Sequence, residues 1–243
     1  MHNRIRIVTV TYNSAGVIGD LLRSLPADIE TIVVDNASSD ETCQIAADLG
    51  ARVIRLERNR GFGAGCNAGA AGNTREFVFF VNPDSQLTPE CCTLLATAAD
   101  AHPGAFAFNP AVLNEKGRIR LNRRSALVPR SGWTPRQYGG EDNDISTEVN
   151  ILHGAAMFCR QSAFDAVGGF DETIFLYHED DDLSVRLQQA GGTLRLEHKA
   201  KLMHIGGVSS GGSIGTAQLK AFFIAQSRIY VEKKPDRCGP WPS

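Results

Sequence analysis

The sequence contains no CxxC pair and no apolar run near the roughly 20 residues that a membrane-spanning helix requires. Met-His-Asn-Arg leads straight into an apolar segment, so no secretory leader is expected. Its six cysteines are Cys43, Cys66, Cys91, Cys92, Cys159 and Cys238. The vicinal pair Cys91-Cys92 suits neither a disulfide framework nor a zinc site, so reduced thiols are expected. Neither sign of charge is in excess. The 25 Lys and Arg against 27 Asp and Glu leave a formal net charge of −2, so nothing global draws the chain to nucleic acid, and a basic patch must be local. Repeats and low-complexity tracts are absent. What remains is a 243-residue chain, 42% hydrophobic and 21% charged, long enough to bury a core without staples.

The first half alternates strand and helix patterns. Arg4–Val10 (RIRIVTV) reads as a strand leaving into the polar turn Thr11-Tyr12-Asn13-Ser14. Ala15–Leu25 has helical spacing and stops at Pro26. Thr31–Val34 is a strand ending at Asp35-Asn36, and Ser39 or Asp40 caps a helix that Gly50 closes. Arg52–Leu56 is a third strand. Gly61–Ala71 is a small-residue loop running into a closely packed helix, and Phe77–Val81 (FVFFV) has the unbroken hydrophobicity of a central parallel strand. Such alternation predicts a parallel sheet whose ligands sit beyond the carboxyl ends of the strands. After Asn109 the pattern changes. Residues 114–150 form a polar excursion with six arginines (118, 120, 123, 124, 130 and 136). Structure resumes with Glu148–Cys159, a helix near Gln161–Val167, a strand over Thr193–Glu197, and a last helix from Thr216 with Leu219, Phe222, Phe223, Ile229 and Tyr230 on one side.

Five constellations could carry chemistry, and two readings stand for each. Asp35 ends a strand where a base or ribose would dock, while Ser38 to Asp40 equally suit a helix cap. Gly63-x-Gly65-x-x-Ala68 matches a loose dinucleotide fingerprint, but small residues also serve close helix packing. Asn82-Pro83-Asp84 is either a turn or a source of oxygen ligands for Mg²⁺ or Mn²⁺. Glu179-Asp180-Asp181-Asp182 opens a helix, where acids complement the dipole. Four in a row also repel, which raises carboxyl pKa values and makes a general-base candidate. His204 is structural unless a metal lies close.

Taken together and in order, VTVTYNS, IVVDNASSD, NRGFGAGCNAG, FVFFVNPDS, HGAAMFCRQSAFDAVGGFDETIFLYHEDDDLSVRLQQAGG and MHIGGVSSG resemble family 2 glycosyltransferases of the GT-A fold. The resemblance is strongest to the rhamnosyltransferase-like branch that builds bacterial surface polysaccharides. It implies a mixed, mainly parallel α/β sheet flanked by helices in a single domain. Residues 1–110 would bind the donor, 111–215 would serve the acceptor and catalysis, and 216–243 would form a helix and tail. It implies donor contacts from Thr11, Tyr12, Asn13, Asp35, Asn36, Gly61, Asn67, Asn82 and Asp84. A divalent cation, Mg²⁺ or Mn²⁺, would lie on Asp84 and His204. Asp180 would be the catalytic base with Glu179 beside it, and His153 and Gly154 would meet the acceptor. One departure stands out: the first carboxylate of the family's D-x-D element is Asn82 here, which brings no charge.

The expected activity is an inverting transfer from a nucleotide diphosphate sugar, dTDP-rhamnose by resemblance, to a glycan or lipid-linked acceptor. The expected location is the cytoplasm or, peripherally, the inner face of the cell membrane. The alternatives are a nucleotidyltransferase, for which TYNSAGVIGD offers no basic pyrophosphate loop, a dehydrogenase resting on the Gly63 fingerprint alone, and a non-catalytic nucleotide-sugar-binding module.

Overall fold

A computed structural model describes residues 1–114, 116–120, 146–204 and 214–234. Strand β1 (Ile5–Thr11) is buried along its whole length and lies between β2 (Glu30–Asp35) and β4 (Phe77–Val81), parallel to both. On the outer side β3 (Arg52–Arg55) continues the parallel run from β2. The sheet then changes character. β9 (Ala156–Arg160) is inserted antiparallel between β4 and β6 (Ala105–Leu113), and β10 (Thr193–His204) pairs parallel to β6. The short β5 (Ser85–Leu87) closes the path antiparallel to the end of β10. Two further short strands, β7 (Ile119–Arg120) and β8 (Thr147–Val149), pair with β6 and β10, giving ten strands among the described residues.

FVFFV is therefore parallel to one neighbour and antiparallel to the other. Its unbroken hydrophobicity follows from burial on both faces, which either arrangement provides. Phe77 and Phe79 project into one core, with Ile18 and Leu21 of α1 (Ile18–Ser24), Ala46 of α2 (Thr42–Asp48) and Leu95 of α4 (Cys91–Ala101). Val78 and Phe80 project into the other, with Cys66 of α3 (Phe62–Ala70), Phe164 of α5 (Gln161–Ala166) and Leu183 of α6 (Glu179–Gln189). The result is a sheet between two helical layers, in which period-two alternation sends successive side chains to opposite cores.

Local differences from the sequence expectation have local causes. Helix α1 begins at Ile18 because Val17 and Ile18 donate back to the Ser14 carbonyl in a turn. Glu41 is the residue flanking α2, yet Asp40 still accepts the Thr42 N–H at 3.1 Å. β10 is longer than Thr193–Glu197 because an irregularity between Glu197 and Lys201 lets pairing to β6 resume. Helix α7 (Ile214–Lys233) leaves Leu219, Phe222 and Ile229 exposed. Its contact is a narrow stripe: Phe223 stacks on Phe175 with ring centroids 4.6 Å apart, Ser227 Oγ donates to the Leu176 carbonyl, and Val231 is fully buried. No helix among the described residues is long and apolar enough to cross a membrane. Arg123, Arg124, Arg130 and Arg136 lie outside the described residues, as does the segment that follows His204.

Candidate active site

The carboxyl ends of β1, β2 and β4 open on one edge of the sheet. There a cleft of about 260 Å³ is lined by Thr11, Tyr12, Asn36, Gly61, Asn82 and Tyr177, among others. Asn36 ties the exit of β2 to the glycine loop: its side-chain amide donates to the Gly61 carbonyl at 3.1 Å and accepts from the Arg60 N–H at 3.2 Å. Gly61 has φ +91°, and a Cβ there would run into the Phe175 backbone. Phe62 N–H donates to that Phe175 carbonyl at 3.0 Å, so the loop and the 175–177 segment form one wall.

Asp35 is turned inward. Its carboxylate is fully buried and accepts from the Ser38 N–H at 2.9 Å, from the Thr11 hydroxyl at 3.2 Å and from the Ser38 hydroxyl. Burial with several donors suits a carboxylate that fixes the 35–38 turn. Asn13, at φ +50°, stands beside it: its N–H donates to Ser38 Oγ at 2.8 Å, and its side-chain oxygen accepts from the Ser39 N–H at 2.9 Å. Asn67 also lies off this cleft. Its amide donates to the Phe170 carbonyl and accepts from the Phe170 N–H, at 2.9 and 2.8 Å, clamping α3 to the GGFDE turn. The glycine-rich fingerprint serves close packing. Cβ atoms at Gly65 and Gly69 would collide with Val10 and Val8 of β1.

Asp84 and His204, 120 residues apart in sequence, meet with Oδ1 and Nε2 3.0 Å apart, both buried. The antiparallel register that pairs His204 with Ser85 brings them together. Asn82 also makes a turn, its carbonyl accepting from the Ser85 N–H at 3.2 Å. Among the described residues no cluster of three or more His, Cys, Asp or Glu could hold a metal, and His204 Nδ1 has no partner. One buried carboxylate and one imidazole nonetheless fit Mg²⁺ or Mn²⁺, which take few protein ligands and complete their shell with phosphate and water.

The acidic run follows on the 175–177 segment that lines the cleft. Two consecutive non-glycine residues in the left-handed region, Tyr177 and His178 (φ 67° and 68°), turn the chain into α6. Such residues cost about 1–3 kcal/mol each and persist where the surroundings hold them. The four acids then divide. Asp182 pairs with Arg186 at 2.7 Å and Lys234 at 3.0 Å, and Asp181 with His178 at 3.0 Å. Glu179 is buried, with Oε2 lacking a partner, and burial followed by the Asp180 charge pushes its carboxyl well above the usual range. Asp180 is half-buried, and its two oxygens accept from the Gly154 N–H at 2.9 Å and the Asp181 N–H at 3.0 Å. Burial and the Asp181 charge outweigh these bonds and push its carboxyl up to about 7.

Gly154 is the seat of Asp180: a Cβ there would lie 2.8 Å from Asp180 Oδ2. The neighbouring His153 ring meets His204 edge to face, centroids 6.2 Å apart. Asp84, His204, His153, Gly154 and Asp180 thus form a continuous line from the Asp84–His204 pair to α6, and Asn82 N–H, donating to the Ala155 carbonyl at 2.9 Å, joins that line to the cleft. Sequence reasoning missed Phe175, Tyr177 and Asn109. Phe175 and Tyr177 stand inside the GGFDETIFLYHEDDDL stretch that carries the resemblance, without a role assigned to them, and Asn109 carried a signal as a lone amide inside the apolar strand AFAFNPAVL.

Residues 6–168 match Glycosyl transferase family 2. The chain is 30% identical over 235 residues to an N-acetylglucosaminyl-diphospho-decaprenol L-rhamnosyltransferase of Mycobacterium tuberculosis, covering 84% of this chain and 76% of that protein. Among solved structures it is similar in fold to the mannosyltransferase PcManGT of Pyrobaculum calidifontis in complex with GDP-Man and Mn²⁺ (TM-score 0.68, 17% identity, 98% of this chain and 66% of that one). It is likewise similar to S. aureus TarS 1-349 in complex with UDP-GlcNAc (TM-score 0.62, 21% identity, 96% and 72%). With the family matched across well over half its length and a mixed GT-A sheet beneath the site, the chain belongs to glycosyltransferase family 2 and is a glycosyltransferase.

Proposed function

We propose that the chain catalyses an inverting transfer of rhamnose from dTDP-rhamnose to a hydroxyl of a glycan or lipid-linked acceptor. The observation that carries this reading is the Asp180 carboxylate, held at α6 by the Gly154 and Asp181 N–H groups, with burial and the Asp181 charge pushing its carboxyl up to about 7. A base works best when its pKa lies near the working pH. In a single displacement the acceptor oxygen attacks the anomeric carbon as the bond to the diphosphate breaks. Asp180 takes the hydroxyl proton. Thr11, Tyr12 and Asn36 orient the nucleotide in the cleft they line, with Tyr12 offering a half-exposed ring. Asp84 and His204 would hold a divalent cation, which neutralises charge on a departing diphosphate when bound. The rhamnosyltransferase relative supports the sugar and the lipid diphosphate acceptor, and the Mn²⁺ complex of PcManGT supports the cation. A lipid-linked acceptor would put the enzyme at the inner face of the cell membrane.

The test is Asp180→Asn. Transfer is expected to fall by about 10²–10⁴, with dTDP-rhamnose binding kept in calorimetry. The wild-type kcat/KM is expected to rise with pH to a plateau, with its midpoint at about 7, where Asp180 ionises. Full transfer by Asp180→Asn would remove the base assignment.

A further inference from the structure

Asn109 is 5% exposed, on a strand between Phe108 and Pro110. A polar side chain in such a strand needs partners, and the Asn109 amide meets three on the 153–156 turn. Its oxygen accepts from the His153 N–H at 2.6 Å. Its two N–H hydrogens go to the His153 carbonyl at 3.1 Å and to the Ala156 carbonyl. These partners fix the orientation of the amide, since a flip would set two carbonyls against its oxygen.

The His153 carbonyl and the Gly154 N–H belong to one planar peptide unit and point in opposite directions. Asn109 holds the carbonyl end at 3.1 Å, and the Asp180 carboxylate holds the N–H end at 2.9 Å. A donor on the carbonyl fixes the plane and polarises the N–H toward the carboxylate. We propose that Asn109 is a positioning residue for the base, acting through the 153–154 peptide, an inference that rests on Asp180 being that base. Gly154 fits this role, because any side chain there would displace the carboxylate instead of meeting it through the N–H.

The titratable groups facing Asp180 are Glu179, Asp181 and His178 on its own segment, and Asn109→Ala replaces none of these side chains and removes no hydrogen bond to them. A hydrogen bond to the charged form lowers a carboxyl pKa, so loosening it raises that pKa. The experiment follows the Asp180 carboxyl carbon by ¹³C NMR in the unliganded full chain, its signal assigned by loss in Asp180→Asn. In Asn109→Ala the midpoint is expected to move up by about one pH unit. With dTDP-rhamnose and acceptor, kcat is expected to fall on the order of tenfold, with the donor KM within about twofold. Asn109→Ser keeps one donor, should fall between Ala and wild type, and serves alone if Asn109→Ala fails to fold. An unmoved midpoint and unmoved kcat in a folded variant, beside an inactive Asp180→Asn, overturn this inference alone. Full transfer by Asp180→Asn overturns the base and this inference with it.

Discussion

Glu179 is a buried carboxyl with an unpartnered oxygen and a raised pKa, one residue from the proposed base. An acid whose folded pKa lies above its unfolded value costs no stability below the unfolded value, about 4.3 for Glu. The cost grows as pH rises from there toward the folded value. Glu179→Gln removes the charge while keeping the shape, so its stability relative to wild type should increase steadily from pH 5 to pH 8. Any fixed penalty for burying the Gln amide is independent of pH, so the slope is the readout. Thermal unfolding of both proteins across that range checks it, and a difference independent of pH would mean that Glu179 ionises in the native state as it does in the unfolded chain, with no raised pKa. The sequence made the repulsion of four adjacent acids legible, but not its resolution. Arg186 and Lys234 both meet Asp182 while His178 meets Asp181, and only the fold brings Lys234 to Asp182. Asp35 was legible as a strand-end acid, whereas its inward turn depends on Thr11 at the end of β1 and Ser38 in the turn after β2 converging on it.

Helix α3 argues at the level of the element. It lies on β1 with Gly65 and Gly69 at the contact, and a Cβ at Gly65 would sit 2.6 Å from Val10 Cγ1 and 2.9 Å from Cγ2. Glycine in a helix costs about 1 kcal/mol against alanine, so Gly65→Ala offers that gain and an overpacking loss of about 1–3 kcal/mol. The loss should win, because β1 lies between two paired strands and has little room to yield. Val10→Ala removes both offending methyl groups and should itself destabilise by leaving a cavity. The double variant should be more stable than the two single effects predict, a coupling that chemical denaturation of all four proteins measures. Additive effects would mean that α3 does not approach β1 this closely. Elements such as β1, β4 and α3 were readable because local composition already states their surroundings. The antiparallel insertion of β9 was not, since its partners β4 and β6 are chosen by long-range pairing that no local pattern encodes.

At the scale of the whole molecule, the site is assembled from segments that fold far apart in sequence. Thr11, Asn36 and Asn82 come from the parallel half, His204 from the end of β10, and Asp180 from α6. A ligand that bridges these segments binds only the folded chain and should therefore stabilise all of it. At 100 times its Kd such a ligand adds about 2.7 kcal/mol. For a chain of this length that corresponds to a rise in Tm of about 5–10 °C. With dTDP-rhamnose the full rise should require Mn²⁺ or Mg²⁺, because the diphosphate supplies the ligands that Asp84 and His204 leave open. Asp84→Asn keeps an oxygen but loses the charge, so it should keep the metal-independent part of the shift and lose the rest. His204→Ala should do the same, and an equal loss in both would identify them as one pair. A wild-type shift that is the same with chelator as with Mn²⁺ would remove the cation from this site while leaving nucleotide binding in the cleft intact.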